Sequence, residues 1–185
     1  MRAISIALLF VSTTALPLFA QKAKFGAAEN LAPYIPTPEP IVIRMLEAAH
    51  VKPDDLVYDL GSGDGRVVIL AAQQFGAKAV GVEILPDLCR KASERIKMLG
   101  LDERVRMIED SVFHVDLSPA TVVTMFFLTT SNDRLKPNLE KQLKAGARVV
   151  SNEFPIRGWK PTEVVHVKNG AMNHSIYVYE IGKTK

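Results

Sequence analysis

Asp59-Leu60-Gly61-Ser62-Gly63-Asp64-Gly65 follows a short apolar run and opens a helical pattern, and it is the stretch best suited to hold a ligand. Glycines there keep any Cβ from holding a ligand away from the backbone. Ligands of parallel α/β sheets bind beyond the carboxyl ends of the strands, which is where this loop falls. Glu83 ends the next apolar run, 22 residues beyond Gly61. That offset lets a carboxylate reach both hydroxyls of a ribose. A dinucleotide loop would read G-x-G-x-x-G, but Arg66 stands at the third glycine and Gly65 comes one residue early. Asp59 departs further, because a pyrophosphate beside it would meet a carboxylate. The pattern favours a ligand with a cationic end and no phosphate. S-adenosylmethionine, with its ammonium, sulfonium, ribose and adenine, fits. The glycines alone would serve a bare strand–helix turn equally well. Asp59, Glu83 and the later Glu109-Asp110-Ser111 tip the reading towards a ligand.

The elements that must position these residues alternate in type. Thr37-Pro38 predicts an N-cap with proline at N1, and Ile41, Met45, Ala48 and Ala49 share one helical face. Leu56 to Leu60 predicts a buried strand, and Arg66 to Phe75 a helix with Gly76 at C′. Ala79 to Ile84 and Val105 to Ile108 predict strands on either side of a helix over Pro86 to Leu99. Ala120 to Leu128 reads as a long fourth strand, and Asn132 to Leu143 as a helix interrupted near Pro137. Ala147 to Ser151 predicts a fifth strand. Val164 to Lys168 and Ser175 to Ile181 flank Asn169-Gly170 and predict a closing antiparallel pair. The fold class is therefore α/β: a three-layer Rossmann-like sheet, mostly parallel, with an antiparallel C-terminal pair.

Composition narrows the functions available. A chain of 185 residues with 48% hydrophobic and 23% charged residues is a one-domain globular protein. A net charge of +3 is too small to imply nucleic-acid binding. The single cysteine, Cys89, excludes an intramolecular disulfide, and the four histidines lack ligand spacing. Residues 1–20 run from Arg2 through an apolar stretch to Ala20 and predict a signal peptide or membrane anchor. Residues 21–33 predict a linker, and 34–185 the ligand-binding domain. The expected location is exported or membrane-anchored, with possible membrane association through residues 1–20. Which side the domain faces stays open, because Arg2 and the Lys22/Lys24 pair argue opposite ways.

With these residues in place, the chain resembles the class I S-adenosylmethionine-dependent methyltransferases, from about Tyr34 to Tyr179. The resemblance implies that Asp59, Gly61 and Gly63 lie at the methionine end of the cofactor and that Glu83 binds the ribose. It implies that Asp110 contacts the adenine amino group, with the Ser111 backbone beside the ring. A narrower resemblance rests on Pro33-Tyr34-Ile35-Pro36-Thr37-Pro38, Asp59 to Arg66, Thr121-Val122-Val123-Thr124 and Arg148-Val149-Val150-Ser151. These resemble the protein-lysine methyltransferases that include broad-specificity archaeal enzymes and mitochondrial enzymes acting on the ATP synthase c-subunit and the adenine nucleotide translocase. In that family the proline-rich segment folds over the cofactor, which implies contacts from Tyr34 and Thr37. The chain departs at Met125-Phe126-Phe127-Leu128, where the family often has a tyrosine.

A lysine acceptor must lose its proton before it can attack. From a reference pKa near 10.4, neutralising it at pH 7 costs roughly 4.6 kcal/mol. An apolar, aromatic-walled channel lowers that cost by disfavouring the charged form. Phe126, Phe127, Phe154 and Trp159 fall at or near the carboxyl ends of strands four and five, where such a channel belongs. Phe126 and Glu153 are the candidate catalytic residues, Glu153 holding the incoming ammonium. A buried strand is apolar in any case, so the two phenylalanines fit ordinary core equally well. The expected partner is a protein lysine, with no nucleic acid and a monomeric chain. A small-molecule or lipid acceptor, or a non-catalytic module of the same fold, are the alternatives.

Overall fold

Short runs buried on both faces suit the inner strands of a covered sheet, and Leu56–Leu60, Val122–Met125 and Arg148–Asn152 at the centre of this seven-stranded sheet are such runs. The computed structural model describes Gly26 and residues 29–184. Along the chain come α1 (Glu39–Ala48), β1 (Leu56–Leu60), α2 (Arg66–Phe75), β2 (Lys78–Glu83), α3 (Pro86–Met98) and β3 (Val105–Glu109). Then follow β4 (Val122–Met125), α4 (Thr129–Gln142), β5 (Arg148–Asn152), β6 (Glu163–Asn169) and β7 (Met172–Glu180). The sheet order is β3-β2-β1-β4-β5-β7-β6. The first five strands in that order are parallel, and β7 is antiparallel to both β5 and β6. The chain steps outward from β1 to β3 and returns on the other side of β1 at β4. That reversal opens a crevice at the carboxyl ends of β1 and β4.

Two apolar layers clamp the sheet. On one face α1 and α2 bury Ile41, Leu46, Val68 and Ala71 against Val57, Val150 and Ile176. On the other, Leu135 and Leu139 of α4 join Tyr58, Val123, Val149 and Tyr179. Gly76 ends α2 at φ +67, where its N–H donates to the Ala72 carbonyl and that of Ala77 to Ala71. Cys89 is a buried core residue of α3.

Three local expectations are corrected. Thr37 does not cap α1; Pro38 holds that position, and its carbonyl accepts the N–H groups of Ile41 and Val42. β4 stops at Met125, three residues before the expected end, because Phe126 to Leu128 leave the ladder to line a cavity. α4 runs unbroken through Pro137 from Thr129.

The expectation of an exported or membrane-anchored protein is corrected as well. No helix among the described residues is long and apolar enough to cross a membrane. The signal or anchor segment, residues 1–20, and most of the predicted linker, residues 21–33, lie outside the described residues.

At the amino end of the sheet, Arg148 binds the carboxylate of Asp55 and donates to the carbonyls of Ala49 and His50. Asp55 also accepts from the Thr121 hydroxyl at 2.7 Å and the Lys52 N–H at 2.8 Å. Burial alone would raise the Asp55 carboxyl; these donors and the guanidinium outweigh it and hold it below its ordinary value. Its contribution is therefore present at neutral pH and lost as pH falls through the depressed value. Arg148→Met should destabilise the fold by about 2 kcal/mol, leaving Asp55 buried without its cation. A melting experiment should show a drop of about 4–8 °C at pH 7.

Candidate active site

The loop after β1 is drawn down onto β2. The N–H groups of Gly61 and Ser62 both donate to the Val82 carbonyl at 2.9 Å. Gly81 makes the close approach possible, since a Cβ there would lie 2.5 Å from the Ser62 hydroxyl and from the Met107 sulfur. The sequence reading passed over Gly81; a lone glycine between two valines of a buried strand was the available signal. Gly61 and Gly63 have φ of +74 and +57. A Cβ on Gly61 would meet the Phe127 ring at 2.8 Å, and one on Gly63 the Tyr34 ring at 2.5 Å. Both conformation and space thus require glycine.

Two buried carboxylates face this loop. Glu83 is 5% exposed; its Oε2 accepts the Gly63 N–H at 2.7 Å and its Oε1 the Leu85 N–H at 2.9 Å. The side chain is thereby fixed, with lone pairs left for further donors. Asp59, also 5% exposed, accepts from the Thr124 hydroxyl at 2.7 Å. Burial pushes its carboxyl up to about 6, the Thr124 and Ser62 hydroxyls opposing the shift and Glu83 and Asp64 adding to it. Two buried acids, with no cation among the described residues paired to either, make a place for a positively charged ligand.

A proline-rich strap closes one side. Arg66 donates to the Thr37 carbonyl at 2.7 Å and forks onto Asp64 at 2.9 and 2.7 Å. Burial and the neighbouring Asp64 raise the Tyr34 hydroxyl above its ordinary value, Arg66 opposing them. Arg66, which stands where a dinucleotide loop would carry glycine, is therefore the residue that ties the strap to the loop. The sequence reading gave Arg66 no part in holding the strap.

Between strap and loop lies a cavity of about 280 Å³. Its walls include Tyr34, Thr37, Asp59, Gly61, Gly63, Glu83 and Phe126, seven of the ten predicted site residues. Phe126 stacks on Phe154, centroids 6.1 Å apart and planes 18° from parallel, and both rings line the cavity with Phe127. Asp110 and Ser111 are not in the wall. Asp110 Oδ1 accepts the Ser111 N–H at 2.7 Å and faces His114 Nδ1 at 3.2 Å, while Ile84, Leu85 and Val112 line that end. Glu153 is not in the wall either; its carboxylate turns to His174. Trp159, expected in the aromatic channel, is buried core, donating to Glu140 at 2.9 Å with its ring edge against Tyr179. Among the described residues no cluster of His, Cys, Asp and Glu could hold a metal ion.

The elevated Asp59 carboxyl gives a signed pH dependence. In ligand-free protein, folding favours the protonated acid, so this contribution to stability falls as pH rises from 3.8 towards about 6. A cationic ligand favours the ionised acid and must displace its proton below that value. S-adenosylmethionine affinity should be flat above about pH 6 and fall about tenfold per unit below it. Calorimetry across pH 5 to 8 should show that slope in the wild type and its loss in Asp59→Asn.

The comparisons with known proteins agree with this geometry. The ANTKMT methyltransferase domain family matches residues 59–163, more than half of the chain. A protein-lysine N-methyltransferase from Saccharolobus islandicus is 56% identical over 154 residues, covering 83% of this chain and 96% of that protein. The mouse adenine nucleotide translocase lysine N-methyltransferase is 33% identical over 80% of this chain, which spans 63% of that enzyme's length. A crystal structure from Salinibacter ruber, described as an RNA methyltransferase in complex with S-adenosyl-L-homocysteine, superposes with a TM-score of 0.76. It is 44% identical, over 80% of this chain and 94% of that one. The glycine cradle, the buried acids and these matches together place the chain among the S-adenosylmethionine-dependent methyltransferases, in the ANTKMT methyltransferase domain family.

Proposed function

We propose that the protein transfers a methyl group from S-adenosylmethionine to the side-chain amine of protein lysines. The observation that carries the reading is the 56% identity with a protein-lysine N-methyltransferase along 83% of this chain. When bound, the cofactor supplies an electrophilic methyl on a sulfonium, and methyl transfer then depends mainly on alignment and exclusion of water. Asp59 balances the cationic end, and Glu83, held by two backbone N–H groups, takes the ribose hydroxyls. Ile84, Leu85 and Val112 offer the apolar slot for the adenine, and in this reading Asp110 and Ser111 shape that slot from behind. Tyr34 and the Arg66 clamp cover the cofactor.

The Phe126–Phe154 wall suits the acceptor. Desolvation between aromatic faces disfavours an ammonium relative to the neutral amine whose lone pair attacks the methyl carbon. The proton leaves before attack, and the open cavity mouth lets water carry it away. Ile35 and Leu128, 61% and 51% exposed, line the same cavity and offer apolar contact to residues flanking a lysine.

The Salinibacter likeness favours a second reading, methylation of RNA, so the test must separate the two. Protein and tritiated S-adenosylmethionine are incubated with a cell extract, split into nuclease-treated and protease-treated halves. Label that survives nuclease, is lost to protease and maps to methyllysine supports the proposal. Label that survives protease and is lost to nuclease overturns it in favour of RNA. Phe126→Ala should slow lysine labelling at least about tenfold while S-adenosylmethionine affinity changes less than about twofold. Glu83→Ala should abolish cofactor binding by calorimetry and labelling with it, since two N–H groups lose their acceptor along with the ribose.

A further inference from the structure

Glu153 has a left-handed backbone, φ +63, where glycine would be expected. Such conformations persist where the surroundings over-determine them, and they gather at working sites. Here the surroundings are specific. The Glu153 N–H donates to the Ser175 carbonyl at 2.7 Å, and one carboxylate oxygen pairs with Nδ1 of His174. His174 is 7% exposed on β7, and neither ring nitrogen makes a hydrogen bond of ordinary geometry among the described residues. The close approach of Nδ1 to the Glu153 carboxylate is thus its polar contact there.

The next residue after the strained one is Phe154. Its carbonyl accepts the Ser151 hydroxyl at 2.6 Å and the Asn132 amide at 3.0 Å, and its ring stacks on Phe126 in the cavity. A left-handed residue breaks the alternation of a strand. At Glu153 it ends β5 and turns Phe154 out of the ladder into the cavity wall.

We propose that His174 and Glu153 are a positioning pair for the methyl acceptor: their contact locks the turn that sets the Phe154 ring against Phe126. The proposal rests on reading that aromatic pair as the acceptor wall. Neither residue touches the reacting atoms. A scaffold that needed only the backbone shape would be served by glycine at 153, so the glutamate and its buried histidine are retained for the fixed ring.

Glu153→Gly separates shape from position, because glycine takes φ +63 without strain. It should melt at or above the wild-type temperature and bind S-adenosylmethionine within about twofold. Its labelling of extract protein, titrated against extract concentration, should show kcat/KM at least about tenfold lower, with most of the loss in KM. His174→Ala should show the same split. His174→Asn, which keeps an N–H donor at the Nδ1 position, should recover most of the lost efficiency. Wild-type acceptor KM in both Glu153→Gly and His174→Ala overturns the proposal, as does an equal loss of cofactor affinity. If His174→Ala does not fold, Glu153→Gly decides alone. Failure of the lysine reading itself looks different: the wild type then labels no lysine, and the proposal falls with it.

Discussion

The 2.7 Å bond from the Gly63 N–H to buried Glu83 is the contact on which the site depends. It joins the loop after β1 to the end of β2 and fixes a largely buried carboxylate in the cavity wall. The loop can lie this close to β2 because Gly81 in the strand beneath carries no Cβ, while Gly61 and Gly63 leave room for the Phe127 and Tyr34 rings that pack on the loop. The same fold-back leaves Asp59 buried beside Glu83, and that like-charge crowding, added to burial, raises the Asp59 carboxyl. The ligand-free protein thus stores an electrostatic deficit that a cation relieves.

Around that contact the chain builds two walls of different chemistry. The strap wall is held by charge: Arg66 bridges Asp64 and the Thr37 carbonyl, and Tyr34 lies on Gly63. The aromatic wall is held by buried polar groups behind apolar faces. Asn132 and Ser151 hold the Phe154 carbonyl, while Phe126 and Phe154 present only rings to the cavity. The cavity is thus divided between a carboxylate side and an aromatic side, the opposite environments that the proposed reaction asks for, one for a cationic cofactor and one for a neutral amine.

The far end of the sheet serves stability instead. Arg148 there satisfies two α1-end carbonyls and the Asp55 carboxylate at once, closing the turn that delivers the chain into β1. Its distance along the strands from the cavity lets the two ends be altered independently.

The sequence by itself determined the strand–helix alternation, because buried runs such as Leu56–Leu60 and the Gly76 stop are written in local residue types. It located the loop side of the cavity too, since Asp59, the glycines and Glu83 sit on two consecutive βα units at a recognisable spacing. Only the tertiary structure decided the aromatic side of the cavity. Phe126 and Phe154 follow different strands, and Trp159, also aromatic and five residues beyond Phe154, is core, its ring edge on Tyr179 and its N–H on Glu140. Glu153 and His174 are 21 residues apart and meet only because β7 runs antiparallel to β5. Likewise Asp110 and Ser111 follow β3 where the spacing placed them, yet Val112 and Leu85 reach the cavity instead. Spacing along the chain determines which strand end a residue occupies; the direction its side chain takes there is decided by what packs against it from elsewhere.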